Sequence, residues 1–168
     1  TLSSSLTLPS FLPFFLPFFL PFFLPSFLPC FCFQAVRGKG AFLNGSRIRV
    51  STSTKLKDSL ILTEFGFSRE SKKVDVWLVT AKRFFMRGIH GIRSMGSGVL
   101  DLCFVARGAL DGLYAGVSGD GWSIWDYCAG SLLVEEAGGV MCAVDGAAFD
   151  LCGSSVVAGS YRHLEPHN

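Results

Sequence analysis

The stretch W-D-Y-C-A-G-S-L-L-V-E-E-A-G-G, residues 125–139, places one carboxylate at the start of an apolar run. Leu132, Leu133 and Ala137 fall on one face at helical spacing, and two glycines follow as a stop signal. The stretch therefore predicts a helix that opens at Asp126. An aspartate there can cap backbone N–H groups, and a carboxylate can also bind a hard metal ion, so the residue type leaves both roles open.

On either side of this helix, the chain from residue 35 onward alternates between strand and helix patterns. Residues 35–50 predict a hairpin, because an Asn44-Gly45 turn signal precedes alternating apolar and basic residues. Predicted strands cover residues 59–64, 92–94, 110–114, 140–144 and 156–158, and predicted helices cover residues 74–85 and 99–108. Strands that alternate with helices indicate a layered α/β domain.

The first 34 residues differ from the rest in composition. They carry no charged residue and most of the 17 phenylalanines, and a proline recurs every fourth residue from Pro9 to Pro29. Each proline removes a backbone donor and disrupts a helix, so the segment is not predicted to be a membrane-spanning helix. Its F-L-P-S and F-L-P-F units match a translated TTCC repeat. We predict two parts: a low-complexity segment over residues 1–34, disordered or a translated repeat, and a folded part over residues 35–168.

Charge and cysteine usage narrow the function class. A net charge of +2 gives no broad basic field, so a nucleic-acid partner is not predicted. The six cysteines are scattered, mostly within apolar runs, which predicts buried reduced thiols and a cytoplasmic protein. Cys30 and Cys32 are too close in sequence and too isolated for a zinc site.

Four sequence blocks together resemble the inositol monophosphatase family. They are A-V-R-G-K-G-A-F-L-N-G, H-G-I-R-S-M-G-S-G, L-D-L-C-F-V-A-R-G-A-L-D and W-D-Y-C-A-G-S-L-L-V-E-E-A-G-G, and they span about residues 35–160. Their order and spacing match the second half of that family's chain. The resemblance implies the C-terminal part of a layered αβαβα sandwich and magnesium-dependent hydrolysis of a small phosphate monoester such as an inositol phosphate. It also implies a homodimer.

The resemblance assigns candidate roles to two segments. Asp126 matches the family's metal-ligand aspartate, and Gly96, Ser97 and Gly98 match the segment that lines the substrate pocket at a helix N-terminus. Four other acids are predicted to be structural or solvated: Asp101 on a solvated helix face, Asp111 at a strand end, and Glu135 and Glu136 at the surface. The three histidines have no partner pattern and receive no role.

This chain also departs from the family pattern. The family's first half carries a glutamate ligand and an Asp-Pro-(Ile/Leu)-Asp-Gly-(Ser/Thr) motif, which this sequence does not contain. A substrate-binding glutamate is replaced by Ala115, and Asp120 can substitute only if its longer loop folds inward. Phe67 stands where a small polar residue is usual.

These departures lead us to expect that the chain is a fragment without phosphatase activity of its own. Two alternatives stay open. One is a phosphatase for another monoester, histidinol phosphate or a nucleotide 3′-phosphate, and the other is a non-catalytic interaction module.

Overall fold

The computed structural model describes residues 31–160. Residues 1–30 and 161–168 lie outside the described part, so the low-complexity hypothesis for the N-terminal segment stays a prediction. The first strand, β1 (Phe33–Val36), begins before the predicted boundary at residue 34, and Phe33 pairs with Leu43. Within residues 31–160, no helix is both long enough and apolar enough to cross a bilayer.

A three-stranded antiparallel sheet opens the fold. β1 pairs with β2 (Gly40–Leu43), and β2 pairs with β3 (Ser46–Ile48). Between β2 and β3, Asn44 and Gly45 both have positive φ, 50° and 79°, which is the conformation that a two-residue hairpin turn requires. The predicted hairpin over residues 35–50 is therefore confirmed.

A five-stranded mixed sheet follows, with the strand order β5-β4-β6-β8-β7. Its strands are β4 (Leu60–Thr63), β5 (Gly91–Arg93), β6 (Gly112–Ala115), β7 (Gly139–Cys142) and β8 (Val156–Ser160). β4 lies parallel to β5 and β6, whereas β8 is antiparallel to β6 and β7. The chain runs from β4 to β5 on one side and then crosses to β6 on the other side of β4, so the strand order reverses at β4.

Three helices connect the strands of this sheet. They are α1 (Ser71–Met86), α2 (Gly98–Ala106) and α3 (Ile124–Glu136), and a short 3₁₀ turn covers Leu56–Asp58. α3 begins two residues before the predicted start, so Asp126 is the third helical residue and Ser123 is the N-cap. After α3, Gly138 takes φ 85° and its N–H bonds to the Glu135 carbonyl, as expected for a glycine stop signal.

The two faces of the five-stranded sheet pack against different helices. Leu62 and Leu113 belong to the main core with α2, α3 and the three-stranded sheet, whereas Ile61 and Tyr114 pack with Phe84 of α1. Alternate strand residues point to opposite faces, so α1 covers one face and α2 and α3 cover the other. The layers are therefore sheet, helices, sheet and helix, which confirms the predicted α/β sandwich.

The cysteine prediction is only partly right. Cys103 is buried in α2, but Cys128 and Cys152 are exposed and Cys142 is half-buried. These four thiols are free, as predicted. Apolar neighbours in sequence did not ensure burial, because Cys128 lies on a face of α3 that no other described element covers.

Candidate functional site

A cleft of about 680 Å³ opens at the carboxyl ends of β4, β5 and β6. Its walls are the segments that directly follow these strands, together with the first turn of α3. Parallel strands end at the same edge of a sheet, and ligands of open α/β sheets bind at that edge where the strand order reverses. The topology therefore places the cleft at the position where a small ligand is expected.

The loop after β5 contributes the predicted Gly96-Ser97-Gly98 segment to this cleft. Gly96 has φ 88°, a conformation that favours glycine, and Ser97 is the N-cap of α2. The Ser97 side chain makes no capping hydrogen bond, so its hydroxyl can serve a ligand. The positive end of the α2 dipole points at the same place and favours an anion.

Glu64, the residue after β4, occupies part of this helix entrance. Its Oε1 accepts hydrogen bonds from the N–H groups of Met95 and Gly96 at 2.6 and 2.8 Å, and its Oε2 accepts one from the Ser94 hydroxyl at 2.9 Å. The Gly96 N–H is therefore used within the chain instead of pointing freely at a ligand. Sequence reasoning gave Glu64 no role, and only its place after a buried strand could have singled it out.

Asp126 lies in the first turn of α3 and lines the same cleft. Its Oδ2 accepts a hydrogen bond from the Ser123 N–H at 3.2 Å, which is the carboxylate half of a capping box. Its Cγ would lie 3.1 Å from a Cβ added at Gly98, and Trp122 Cδ2 would lie 2.6 Å from it. Glycine is thus required at position 98 by the close packing of Trp122 and Asp126, and this packing brings the two predicted site segments together.

Asp101 corrects a sequence prediction. It was expected on a solvated face of α2, but its exposed fraction is 0% and neither carboxylate oxygen has a hydrogen-bond partner in the described part of the chain. The pKa of Asp101 is raised from 3.8 to about 7. Burial is the largest cause, followed by the negative charge and contact of Glu64 and then by the charge of Asp126. Asp101 therefore holds a proton far more readily than a surface aspartate does.

The longer loop between β6 and α3 folds inward. Asp120 lines the cleft, accepts a hydrogen bond from Ser118, and lies 3.9 Å from the ammonium group of Lys73 in α1. The indole N–H of Trp77 donates to the Ser118 hydroxyl at 2.7 Å and ties the loop to α1. Since Ala115 also lines the cleft and carries no polar group, Asp120 is the acid that this loop presents there.

Aromatic side chains form a rim around the cleft. Phe67 is 98% exposed and Trp125 is 74% exposed, and both line the cleft beside the polar groups described above. Exposed aromatic rings beside a helix N-terminus in a cleft can contact the organic part of a ligand.

The remaining predicted acids lie away from the cleft. Asp111 accepts hydrogen bonds from the Ser51 hydroxyl and, at 2.6 Å, from the Leu60 N–H, so it stabilises the start of the sheet. Glu135 is exposed, as predicted. Glu136 accepts hydrogen bonds from the N–H groups of Gly38 and Gly40 at 2.6 and 2.8 Å, which lower its pKa, and so links α3 to the β1–β2 turn.

The described residues do not by themselves form a magnesium site. Among residues 31–160, no group of three or more Asp, Glu, His or Cys side chains is arranged to hold a metal ion. Asp126 could supply one oxygen ligand, whereas Glu64 accepts hydrogen bonds from three donors and the raised pKa of Asp101 makes its carboxylate less available to a cation than that of a surface aspartate. Magnesium prefers six oxygen ligands, so further ligands have to come from elsewhere.

Comparison with curated proteins gives close relatives. The chain is 40% identical to inositol monophosphatase 1 of Bos taurus over 128 residues, which cover 76% of this chain and 45% of the relative. It is 39% identical to inositol monophosphatase 2 of Homo sapiens over 128 residues, which cover 76% of this chain and 43% of the relative. The chain therefore spans less than half the length of these relatives.

Solved structures give the same result. The extragenic suppressor protein suhB from Bartonella henselae superposes with a TM-score of 0.70 at 34% identity, covering 80% of this chain and 49% of that one. Inositol monophosphatase from Anabaena superposes with a TM-score of 0.68 at 33% identity, covering 80% and 52%. The inositol monophosphatase family profile matches residues 31–167. By fold and by sequence, the chain belongs to the inositol monophosphatase family.

Proposed function

We propose that this chain is the half of a phosphomonoesterase that supplies the N-terminus of α2 and one metal ligand to the active site. The observation that carries the proposal is the packing of Asp126 against Gly98, which places a carboxylate beside a helix N-terminus in one cleft. A phosphorylated polyol can use both features, because the backbone at the helix end can bind its hydroxyl groups and a divalent cation held by the carboxylate would offset the charge of its phosphate.

Under this proposal the hydroxyl groups of a small phosphorylated polyol, such as an inositol phosphate, lie at the α2 N-terminus. The Ser97 hydroxyl bonds to the polyol, and Asp126 would hold magnesium beside the phosphate together with carboxylates that the described residues do not supply. Bound magnesium supplies charge neutralisation of the phosphate oxygens. Asp120, on the inward-folded loop, accepts a hydrogen bond from a substrate hydroxyl.

A second substrate class has its own support. Phe67 is almost fully exposed at the cleft, and Trp125 is largely exposed there. A nucleotide 3′-phosphate could stack its base on one of these rings, whereas a bare polyol gains little from an aromatic rim. Such stacking is worth roughly 1–3 kcal/mol per base.

The cellular setting is part of the proposal. The free thiols of Cys103, Cys128, Cys142 and Cys152 suit a reducing cytoplasmic compartment. Family membership supports a homodimer as the assembly.

The test begins with the transcript. We would sequence it upstream of the codon for Ala35, express the longest in-frame product, and measure phosphate release from inositol 1-phosphate and from a nucleoside 3′-phosphate with and without magnesium. We expect chelator-sensitive release by that product and none by the 168-residue chain, because its described residues include no group of three or more side chains arranged to hold a metal ion. If the longest product lacks further metal carboxylates and releases no phosphate, the non-catalytic alternative replaces the proposal.

A further inference from the structure

α1 has apolar side chains on two opposite faces. One face packs on the five-stranded sheet, where Trp77 and Ala81 are buried and the ring of Phe84 stacks on that of Tyr114 at 4.9 Å between centroids. The other face points away from the sheet, and four apolar side chains lie on it or at its edge: Leu78 is 58% exposed, Val79 49%, Phe85 57% and Met86 78%. A helix that is apolar on both faces is usually covered on both, and a large exposed apolar patch marks a contact surface.

Two charged residues flank the centre of this outer face. Asp75 lies one helical turn before Leu78 and Val79, Lys82 lies one turn after them, and both charged residues are exposed. Neither forms an ion pair with another residue in the described part of the chain. Their midpoint falls between Leu78 and Val79, which is also the midpoint of α1 (Ser71–Met86). The outer face therefore carries an acid, an apolar pair and a base, placed symmetrically about the centre of the helix.

This order is complementary to itself when two copies of the helix lie antiparallel. With a twofold axis through the midpoint, Leu78 of each copy faces Val79 of the other, and Asp75 of each copy faces Lys82 of the other. The contact then has an apolar centre and an oppositely charged pair at each end, as protein interfaces commonly do. A parallel pair of helices would instead place Asp75 against Asp75 and Lys82 against Lys82, and like charges repel.

We propose that the outer face of α1 is the contact between two copies of this chain, with the two helices antiparallel about a twofold axis. The homodimer of the proposed function would form here, so the contact rests on that part of the proposal, but it needs neither phosphatase activity nor a particular substrate. One helix face is at the small end of specific interfaces, so we expect a dissociation constant on the order of micromolar. At submicromolar concentrations the chain should be monomeric.

The test reverses the two charges, singly and together, in the full 168-residue chain. Asp75→Lys leaves only positive charges at positions 75 and 82, Lys82→Asp leaves only negative ones, and the double variant exchanges the two. Lys39→Asp is the matched control, because Lys39 is exposed in the β1–β2 turn, on the side of the five-stranded sheet away from α1. Sedimentation equilibrium gives the dissociation constant of each variant and of an equimolar mixture of the two single variants.

We expect each single reversal to weaken dimerisation by roughly tenfold or more, because twofold symmetry turns both attractive pairs into repulsive ones. The double variant should return to within about threefold of the wild type, since each acid again faces a base. The mixture of the two single variants should dimerise as well as the wild type, because every pair between the unlike copies is attractive. Lys39→Asp should change nothing.

Several outcomes contradict the proposal, and they do so in different ways. A wild-type chain that stays monomeric at about 100 μM has no such contact, and the homodimer then fails for this chain as well. A dimer that no α1 variant weakens forms through another surface, so the homodimer stands and the α1 contact is wrong.

Two outcomes concern the pairing itself. A double variant as weak as the single variants shows that Asp75 and Lys82 do not face each other. Single variants that associate neither alone nor in the mixture show that charge pairing across α1 does not hold the dimer. None of these measurements involves phosphate release, so a failure of the proposed phosphatase function would leave their results unchanged.

Discussion

Replacing Asp101 by asparagine should stabilise the protein and remove much of its pH dependence. Asp101 is fully buried in α2 and neither oxygen has a hydrogen-bond partner in the described residues. Asparagine has nearly the same shape but never ionises, so the substitution removes the cost of a buried negative charge with little change in packing.

The sign of the effect follows from the raised pKa. In the folded protein Asp101 has a pKa of about 7, whereas 3.8 applies to an unperturbed aspartate. The folded state therefore binds this proton more tightly than the unfolded state, and the stabilisation is fully present below the unfolded pKa. It is lost as pH rises from about 4 through about 7, and the complete loss is at most roughly 4 kcal/mol.

The assay is urea unfolding followed by tryptophan fluorescence, at intervals between about pH 4 and about pH 8. A chelator is included, because a cation at Asp126 would change the field at Asp101. Asp75→Asn is the matched control, since Asp75 is exposed on α1. The informative quantity is the difference in unfolding free energy between each variant and the wild type at each pH.

The difference for Asp101→Asn should grow as pH rises and level off above about pH 7, reaching roughly 2–4 kcal/mol in favour of the variant. The difference for Asp75→Asn should stay near zero and flat. A flat difference for Asp101→Asn would show that the carboxyl group titrates normally. A growing difference in the opposite direction would show that partners stabilise the ionised form of Asp101, which contradicts the raised pKa.

Three further predictions concern the cleft and the chain's beginning. Asp126→Asn should change the unfolding free energy by less than about 1 kcal/mol in urea titrations, since asparagine also accepts backbone N–H bonds at a helix start. The same substitution should abolish any magnesium-dependent turnover of the longest in-frame product, and near-normal turnover would return the residue to a structural role. Gly98→Ala should lower the unfolding free energy by roughly 1–3 kcal/mol in the same titrations, because the added methyl group meets the indole ring of Trp122. The control Gly91→Ala faces only flexible side-chain ends and should lower it less, so equal losses would contradict the close packing. Deleting residues 1–30 should raise soluble yield and leave amide protection in the three-stranded sheet intact, whereas deleting residues 1–34 should lower protection there, because β1 begins at residue 33; equal protection in both would show that the first half of β1 is dispensable.

Local pattern predicted most of the helices and strands correctly. The predicted strand over residues 59–64 and the predicted helix over residues 74–85 each overlap an observed element, β4 and α1. These patterns work because the periodicity of a strand or helix repeats within a few residues. Their ends were less accurate: α3 begins at Ile124, since the N-cap is Ser123 and not Asp126.

Burial was harder to predict than secondary structure. Asp101 was expected in solvent because it is charged and lies on a helix, yet α2 is enclosed between the five-stranded sheet and α3. Leu102, Cys103, Val105 and Ala106 of α2 are buried with it. At Gly130, α3 approaches Leu102 so closely that no Cβ would fit. Nothing local to residues 98–106 encodes how near the second helix comes.

Local residue patterns were enough to predict the order of strands and helices and the turn at Asn44 and Gly45. The family resemblance singled out Asp126 and the 96–98 segment, whose ligand roles stay predictions. Three features emerged only from the folded arrangement: Gly98 packs against Asp126, Glu64 accepts hydrogen bonds from the loop before α2, and the Asp120 loop folds inward. The difference lies in the sequence distance over which each interaction acts. Backbone preference and periodicity act within one turn or one strand, whereas the cleft is assembled from four segments that are brought together by burying apolar surface far away in sequence.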